Sequence, residues 1–299
     1  MATSLGAKAT FLMLRLIRRN RIYASREGLE QGIRQTRQAG PALPPASMAR
    51  DLHIAQEKVA GRAVFRLRSK RTPAVVARAV YFHGGAYVRP INAFHWRFLS
   101  ELAHVTGVEL VVPLYPLAPE HRGLAALAFA QQVHARESAH GGPIFLMGDS
   151  AGGGLAIALA ATLRDQGVQA ARRLILITPW VDVELPHPDV PAIAPRDPML
   201  AMVGARLAGQ MYAGALPTSH PAISPIQGEL HGLPPMTLFV AGRDILGPDA
   251  IAFADKARAS GCEVDLRVAP DMVHVWPLLG FAESRKAVAE MAAAIHAAL

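Results

Sequence analysis

Pro143-Ile144-Phe145-Leu146-Met147-Gly148-Asp149-Ser150-Ala151-Gly152-Gly153 is the stretch on which the reading of the fold turns. An apolar run, Pro143 to Met147, enters a Gly-x-Ser-x-Gly turn, and the helix-like run Leu155 to Leu163 leaves it. In a turn that tight, side chains beside the serine have no room, so glycine stands at Gly148 and Gly152. The serine is lifted clear of the sheet on a strained backbone and opens a helix, whose unpaired N–H groups favour developing negative charge. A Gly-rich turn holding a phosphate is the competing reading, but neither G-x-G-x-x-G nor G-x-x-x-x-G-K-[ST] is present at this turn.

Outward from this turn, the pattern alternates. Upstream, Ala74 to Phe82 and Glu109 to Tyr115 are continuous β-branched and apolar runs, as in strands buried on both faces. Helical segments Ala93 to His104 and Gly123 to Arg136 separate them. Downstream come the strand Arg173 to Thr178, then Met236 to Val240, the helix Asp249 to Ala259, the strand Glu263 to Val268 and a last helix, Ala282 to Ala298. Strands alternating with helices of this length predict an α/β class with a parallel sheet and right-handed crossovers. Asp51 to Val59 and Arg62 to Arg68 alternate in period two around Ala60-Gly61, which predicts an antiparallel hairpin at one edge. With it the sheet has eight strands, mostly parallel, with helices on both faces.

Two regions break the rhythm. Residues 1–48 read as two helical pieces, Leu5 to Ile22 and Arg26 to Gln38, ended by Gly40-Pro41 and Pro44-Pro45. Residues 183–235 are proline-dense around one helical piece, Met199 to Ala213, and are unlike sheet interior. The organisation expected is one catalytic core, residues 49–182 and 236–299, with an N-terminal arm and an insertion lying over the strand ends as a helical cap.

Composition excludes several classes. The chain has 299 residues, and its 51% apolar content fills the core of an ordinary α/β domain. The net charge of +8 is dispersed apart from Arg15 to Arg21 and Arg66 to Arg71, so no nucleic-acid partner is expected. The single cysteine, Cys262, allows no intrachain disulfide or Cys-rich metal site, and its expected role is a small buried side chain. In the N-terminal apolar run Arg15 interrupts and charge follows rather than precedes, unlike a signal peptide; with no run of 18 apolar residues, neither a span nor stable membrane insertion is expected. A cytoplasmic location is the default. Packing over the protein's own cleft is the expected role of the first helix, with contact at a membrane surface as the alternative; the alanine-rich last helix is expected to pack on the sheet, with a homodimer as the alternative.

A serine hydroxyl attacks a carbonyl only when a base removes its proton, and that base needs a carboxylate to fix its tautomer. Downstream of Ser150, Asp244 in Ala241-Gly242-Arg243-Asp244-Ile245-Leu246 and His274 in Pro270-Asp271-Met272-Val273-His274 both follow strands. That C-terminal edge of an open α/β sheet is where ligands bind. Asp271 is the rival acid, and Asp249 is the expected cap of the helix that follows Asp244. Donors for an oxyanion are expected from His83-Gly84-Gly85-Ala86, after a buried strand, and from Ala151 N–H, with His83 shaping the loop by a structural hydrogen bond.

With these residues in view, the chain from about residue 50 onward resembles the hormone-sensitive lipase family of α/β-hydrolases, also called bacterial family IV esterases. The carriers are His83-Gly84-Gly85-Ala86, Tyr115 to His121, Gly148-Asp149-Ser150-Ala151-Gly152-Gly153, Asp244-Ile245-Leu246 and His274. The resemblance implies a serine carboxylesterase with Ser150, Asp244 and His274 as triad and an oxyanion hole from Gly84 or Gly85, Ala86 and Ala151. It further implies a small-molecule ester substrate with a short to medium acyl chain, a cap from the arm and insertion, and no metal or cofactor. An amidase or lactonase with the same triad, or a non-catalytic small-molecule binder, is the alternative. The chain departs from the family at Ala86, usually glycine, and Pro116, usually arginine. Catalysis is expected to survive the first departure provided φ at Ala86 is negative.

Overall fold

The computed structural model describes residues 3–72 and 74–299. Helix α1 (Leu5–Leu16) stops short of the expected Ile22, because Arg18 takes a left-handed conformation (φ 47°) and a 3-10 turn, Arg19–Tyr23, carries Tyr23 into the core. Helix α2 (Arg26–Ala39) follows, capped by Ser25 Oγ, which accepts from Gly28 N–H. Strands β1 (Leu52–Val59) and β2 (Arg62–Ser69) form the expected hairpin, with Ala60 and Gly61 both at positive φ in its two-residue turn.

Then come β3 (Arg78–Phe82), α3 (Ala93–Thr106), β4 (Glu109–Pro113), α4 (Gly123–Ala139), β5 (Ile144–Asp149), α5 (Ala151–Asp165) and β6 (Arg173–Ile177). The insertion holds α6 (Val190–Ile193) and α7 (Met202–Ala213), after which β7 (Met236–Arg243), α8 (Gly247–Ala259), β8 (Val264–Val273) and α9 (Ala282–His296) finish the chain. Among the described residues the eight strands form one sheet in the order β1-β2-β4-β3-β5-β6-β7-β8, antiparallel at β1-β2-β4 and parallel from β4 through β8. This is the mostly parallel sheet expected from the alternation, with the antiparallel hairpin at one edge.

Of the strand bounds that differ from the sequence pattern, the two largest shifts come from pairing. β3 starts at Arg78 instead of Ala74, where its N–H reaches Pro143 O and β5 begins alongside. β8 runs past Val268 to Val273, since the long β7 stays beside it through an irregularity between Ala241 and Arg243.

Period-two alternation divides the core. In β3, Ala79 and Tyr81 face one apolar cluster and Val80 and Phe82 the other; in β5, Phe145 and Met147 oppose Leu146. One face is covered by α3 and α9, with Trp96, Leu99, Val288, Met291 and Ile295 buried. The other is covered by α4, α5 and α8. The N-terminal arm divides between the faces: α2 packs on α7, while α1 turns Ala7, Phe11 and Leu14 toward α9, where Phe11 meets Phe281 edge-on at 6.1 Å. Cys262 is only partly buried, and its thiol donates to Leu230 O.

Candidate active site

The three residues singled out for proton transfer each stand first past a strand: Ser150 after β5, Asp244 after β7 and His274 after β8. All three strands run parallel, so all three residues lie on one rim. Ser150 adopts φ 53° and ψ −124°, a conformation that costs a side-chain-bearing residue about 1–3 kcal/mol. Backbone bonds hold it there: Ser150 N–H to Ile177 O (2.8 Å), and Trp180 N–H (2.9 Å) and Gly154 N–H (3.2 Å) to Ser150 O. The flanking glycines permit the turn. A Cβ on Gly152 would lie 1.9 Å from Phe82 O, and one on Gly148 would lie 2.4 Å from the backbone of Gly152. Thr178 and Val275, the residues after β6 and after His274, also sit at positive φ, which is rare for β-branched residues and concentrates strain on this rim.

Asp244 is fully buried, and its Oδ2 lies 2.7 Å from His274 Nδ1, while Oδ1 accepts from Leu246 N–H. The carboxylate therefore fixes the proton on Nδ1 and leaves Nε2 as the basic nitrogen. Burial alone would depress the imidazole, but the Asp244 charge and hydrogen bond, with Asp197 and Asp149 further off, hold His274 above its ordinary value. Among the described residues neither the Ser150 hydroxyl nor Nε2 hydrogen-bonds to a protein group, so the structure joins Asp244 to His274 and leaves the serine contact unformed. Asp271 is no rival for His274, because its side chain is half exposed and pairs with Arg243 at 2.9 Å. Asp249 sits in the first turn of α8 without capping it.

The oxyanion expectation needs two corrections. Gly84 N–H is already donated to Asp149 Oδ1 at 2.7 Å, which removes it from the candidates. Among the described residues, the N–H groups of Gly85, Ala86 and Ala151 reach no protein acceptor. The condition of negative φ at Ala86 also fails: it sits at φ 54°, followed by Tyr87 at 62°. The loop holds this shape through Val88 and Arg89 N–H bonds to Gly85 O, so the conformation a glycine would choose is imposed on alanine. Ala86→Gly is consequently expected to leave the donor in place and kcat on simple esters within about 1 kcal/mol of barrier, roughly fivefold. Removing the methyl is expected to raise rates on esters of branched alcohols, and steady-state kinetics on paired linear and branched esters checks both.

Asp149 organises the loop from below: besides Gly84, its Oδ1 accepts from Tyr81 O–H at 2.5 Å, and His95 Nε2 lies 3.5 Å from Oδ2. Despite burial, His95 and these donors hold the Asp149 carboxyl below its usual value. His83 plays the structural part expected of it. Its ring stacks on Tyr115 at 4.5 Å, its Nδ1 lies 2.7 Å from Gly84 O, and burial lowers it to about 4, so it stays neutral at working pH.

Three further residues had no motif to announce them. Tyr87 stacks on Tyr212 of α7 at 3.6 Å and on Trp180 at 5.6 Å, tying the loop to the insertion. Arg37 of α2 donates to Val88 O and Ala118 O and pairs with both oxygens of Glu120. It thereby puts a guanidinium beside the Tyr115 to His121 segment. A cavity of about 320 Å³ next to it has His83, Tyr115 and Leu117 in its wall but neither Ser150 nor His274.

Asp197, from the insertion, is the third. Its Oδ2 accepts from Ile245 N–H at 3.0 Å, next to Asp244, and its Oδ1 accepts from Met199 and Leu200 N–H. Burial, with the Asp244 charge adding to it, raises this carboxyl to about 7. Between its ordinary range near 4 and that value the folded state keeps a proton the unfolded chain has lost, so stability falls as pH rises through this window. Asp197→Asn is expected to abolish that component. The melting-temperature difference, wild type minus variant, should shrink from pH about 4 to about 7 and then level off; thermal melts in matched buffers measure it.

Among the described residues no cluster of three or more His, Cys, Asp or Glu side chains is arranged to hold a metal ion, and no helix is long and apolar enough to cross a membrane.

The fold and this rim together define an α/β-hydrolase. A sequence model of the alpha/beta hydrolase fold family matches residues 79–278, and the chain belongs to that family. It is 32% identical over 203 residues to a triacylglycerol lipase of Mycobacterium tuberculosis, covering 67% of this chain and 42% of the lipase. To an acetyl-hydrolase of Streptomyces hygroscopicus it is 31% identical over 200 residues, 66% of this chain and 67% of that protein. The crystal structure of an esterase from the bacterial hormone-sensitive lipase family superposes with a TM-score of 0.84 at 27% identity, over 99% of this chain and 98% of the other. Within the α/β-hydrolases, this chain falls with the hormone-sensitive lipase branch.

Proposed function

We propose that this protein is a serine carboxylesterase acting on short- to medium-chain acyl esters through an acyl-enzyme. The observation that carries the reading is the buried Asp244–His274 pair, 2.7 Å apart, on the same rim as the strained Ser150. In this reading Ser150 Oγ attacks the ester carbonyl carbon while His274 Nε2 takes its proton. The carbonyl oxygen, now negative, accepts from the uncommitted N–H groups of Gly85, Ala86 and Ala151, each worth a few kcal/mol in such a site. Collapse of the tetrahedral intermediate breaks the bond to the alcohol oxygen, which leaves with the proton from His274. Water then repeats the sequence on the acyl-serine and releases the acid.

Helix α2 of the arm and the insertion serve as the cap that holds the acyl or alcohol part, supported by α2 packing on α7 and by the Tyr87–Tyr212 stack. Hydrolysis rates over a ladder of p-nitrophenyl acyl esters, with matched p-nitroanilides beside them, test the reading. Ester turnover with a burst of p-nitrophenol and a maximum at short to medium acyl length is expected. Faster anilide than ester turnover would reassign the chain as an amidase, and no turnover of either would leave it a binder.

A further inference from the structure

The first helix carries two apolar stripes, and the fold uses only one. Ala7, Phe11 and Leu14 face the body, where α1 is fastened at its start by Ser4, whose N–H and hydroxyl both donate to Glu283 at the head of α9. On the opposite side Leu5, Ala9, Leu12 and Leu16 recur at helical spacing with none of the described residues over them: Leu5 is 84% exposed, Leu12 60% and Leu16 73%, with Ile17 at 59% beside them. Leaving that much aliphatic surface in water on one short helix has a cost the sequence could avoid with any polar residue.

The charges around the stripe say what covers it. Lys8 and Arg15 run along one flank of the exposed stripe, and Arg18 follows directly after the helix. Residues 1–26 contain Lys8, Arg15, Arg18, Arg19, Arg21 and Arg26 and no Asp or Glu at all. A second copy of this chain is a poor match, since an antiparallel two-fold pairing of the stripe would bring each cationic flank against its own image, and a parallel one would offer it no acidic residue of 1–26, on a chain already at +8. An apolar strip bordered by cations matches a surface that offers hydrocarbon beneath a layer of negative charge.

We propose that α1 is an interfacial helix that seats the protein on bilayers rich in anionic phospholipid, with Leu5, Leu12 and Leu16 entering the acyl boundary and Lys8 and Arg15 at the headgroups. The contact lies in the membrane plane and crosses nothing. It is independent of the triad, and it would present lipid-borne or membrane-dissolved esters to a protein held at their surface.

Co-sedimentation of the full chain with phosphatidylcholine vesicles, with and without phosphatidylglycerol, tests it, with hydrolysis of a soluble ester and the melting temperature as controls. Binding is expected only to the phosphatidylglycerol vesicles, weakening with added salt as exposed charges are screened. Lys8→Glu with Arg15→Glu should weaken partitioning by more than about fivefold per cation lost. Leu12→Ser with Leu16→Ser should reduce it about tenfold or more at low salt, with soluble-ester turnover unchanged in both variants. Equal binding to both vesicle types, no binding to either, or binding that neither variant weakens would overturn the proposal. So would a dimer in light scattering that the Leu12→Ser, Leu16→Ser variant splits without any vesicle binding, which would assign the stripe to a second copy.

Discussion

Ser150→Ala is expected to lower kcat on a p-nitrophenyl ester by about 10⁶-fold with little change in KM. The hydroxyl makes no hydrogen bond to any described protein group, and its loss leaves the backbone bonds to Ile177, Trp180 and Gly154 untouched. Alanine at this position inherits the strained φ of 53° no worse than serine does, so the fold is expected to persist and circular dichroism to match the wild type. Residual turnover should come from the N–H groups of Gly85, Ala86 and Ala151, which still bind a developing oxyanion when water attacks. A loss confined to KM would show that the serine only holds substrate.

Asp244→Asn is the second large effect, about 10⁴-fold in kcat. An amide has one oxygen where the carboxylate uses two: Oδ1 for Leu246 N–H and Oδ2 for His274 Nδ1. If the amide oxygen stays with Leu246, its NH₂ faces Nδ1 and forces the imidazole proton onto Nε2, where the base is needed. Asp197 cannot replace the lost carboxylate, since both its oxygens are held by backbone donors of residues 199, 200 and 245. The rate should partly recover at high pH, where hydroxide competes for the serine proton, and a pH–rate profile of the purified variant reads this.

The sheet was legible because its signals are local. Alternation within the hairpin, apolar runs in β3 to β6 and prolines in the insertion each act within a few residues. That Asp244 and His274 share a rim with Ser150 was legible because a parallel strand must end before its loop, and the elbow fixes which end matters. What escaped depends on tertiary neighbours. Asp197 reads as one more acid among prolines until the fold puts it against Ile245 N–H. Gly84 looks like a free donor until Asp149, 65 residues on, takes its N–H. The φ of Ala86 is set by hydrogen bonds of Val88 and Arg89 to Gly85, so its residue type alone pointed the wrong way. The break at Arg18 was hidden because apolar spacing continues through Ile22 while the chain turns to bury Tyr23.

In the proposed reaction one hydroxyl, that of Ser150, made nucleophilic by the buried pair, becomes acylated. A p-nitrophenyl alkylphosphonate, which transfers its phosphonyl group to an activated serine and releases p-nitrophenol, tests it when digestion and mass spectrometry follow. One phosphonyl group per chain is expected, on the peptide containing Ser150, formed in proportion to the loss of ester hydrolysis and absent from Ser150→Ala. Inactivation with the adduct on another residue, or an unmodified Ser150 in fully inhibited protein, would contradict it.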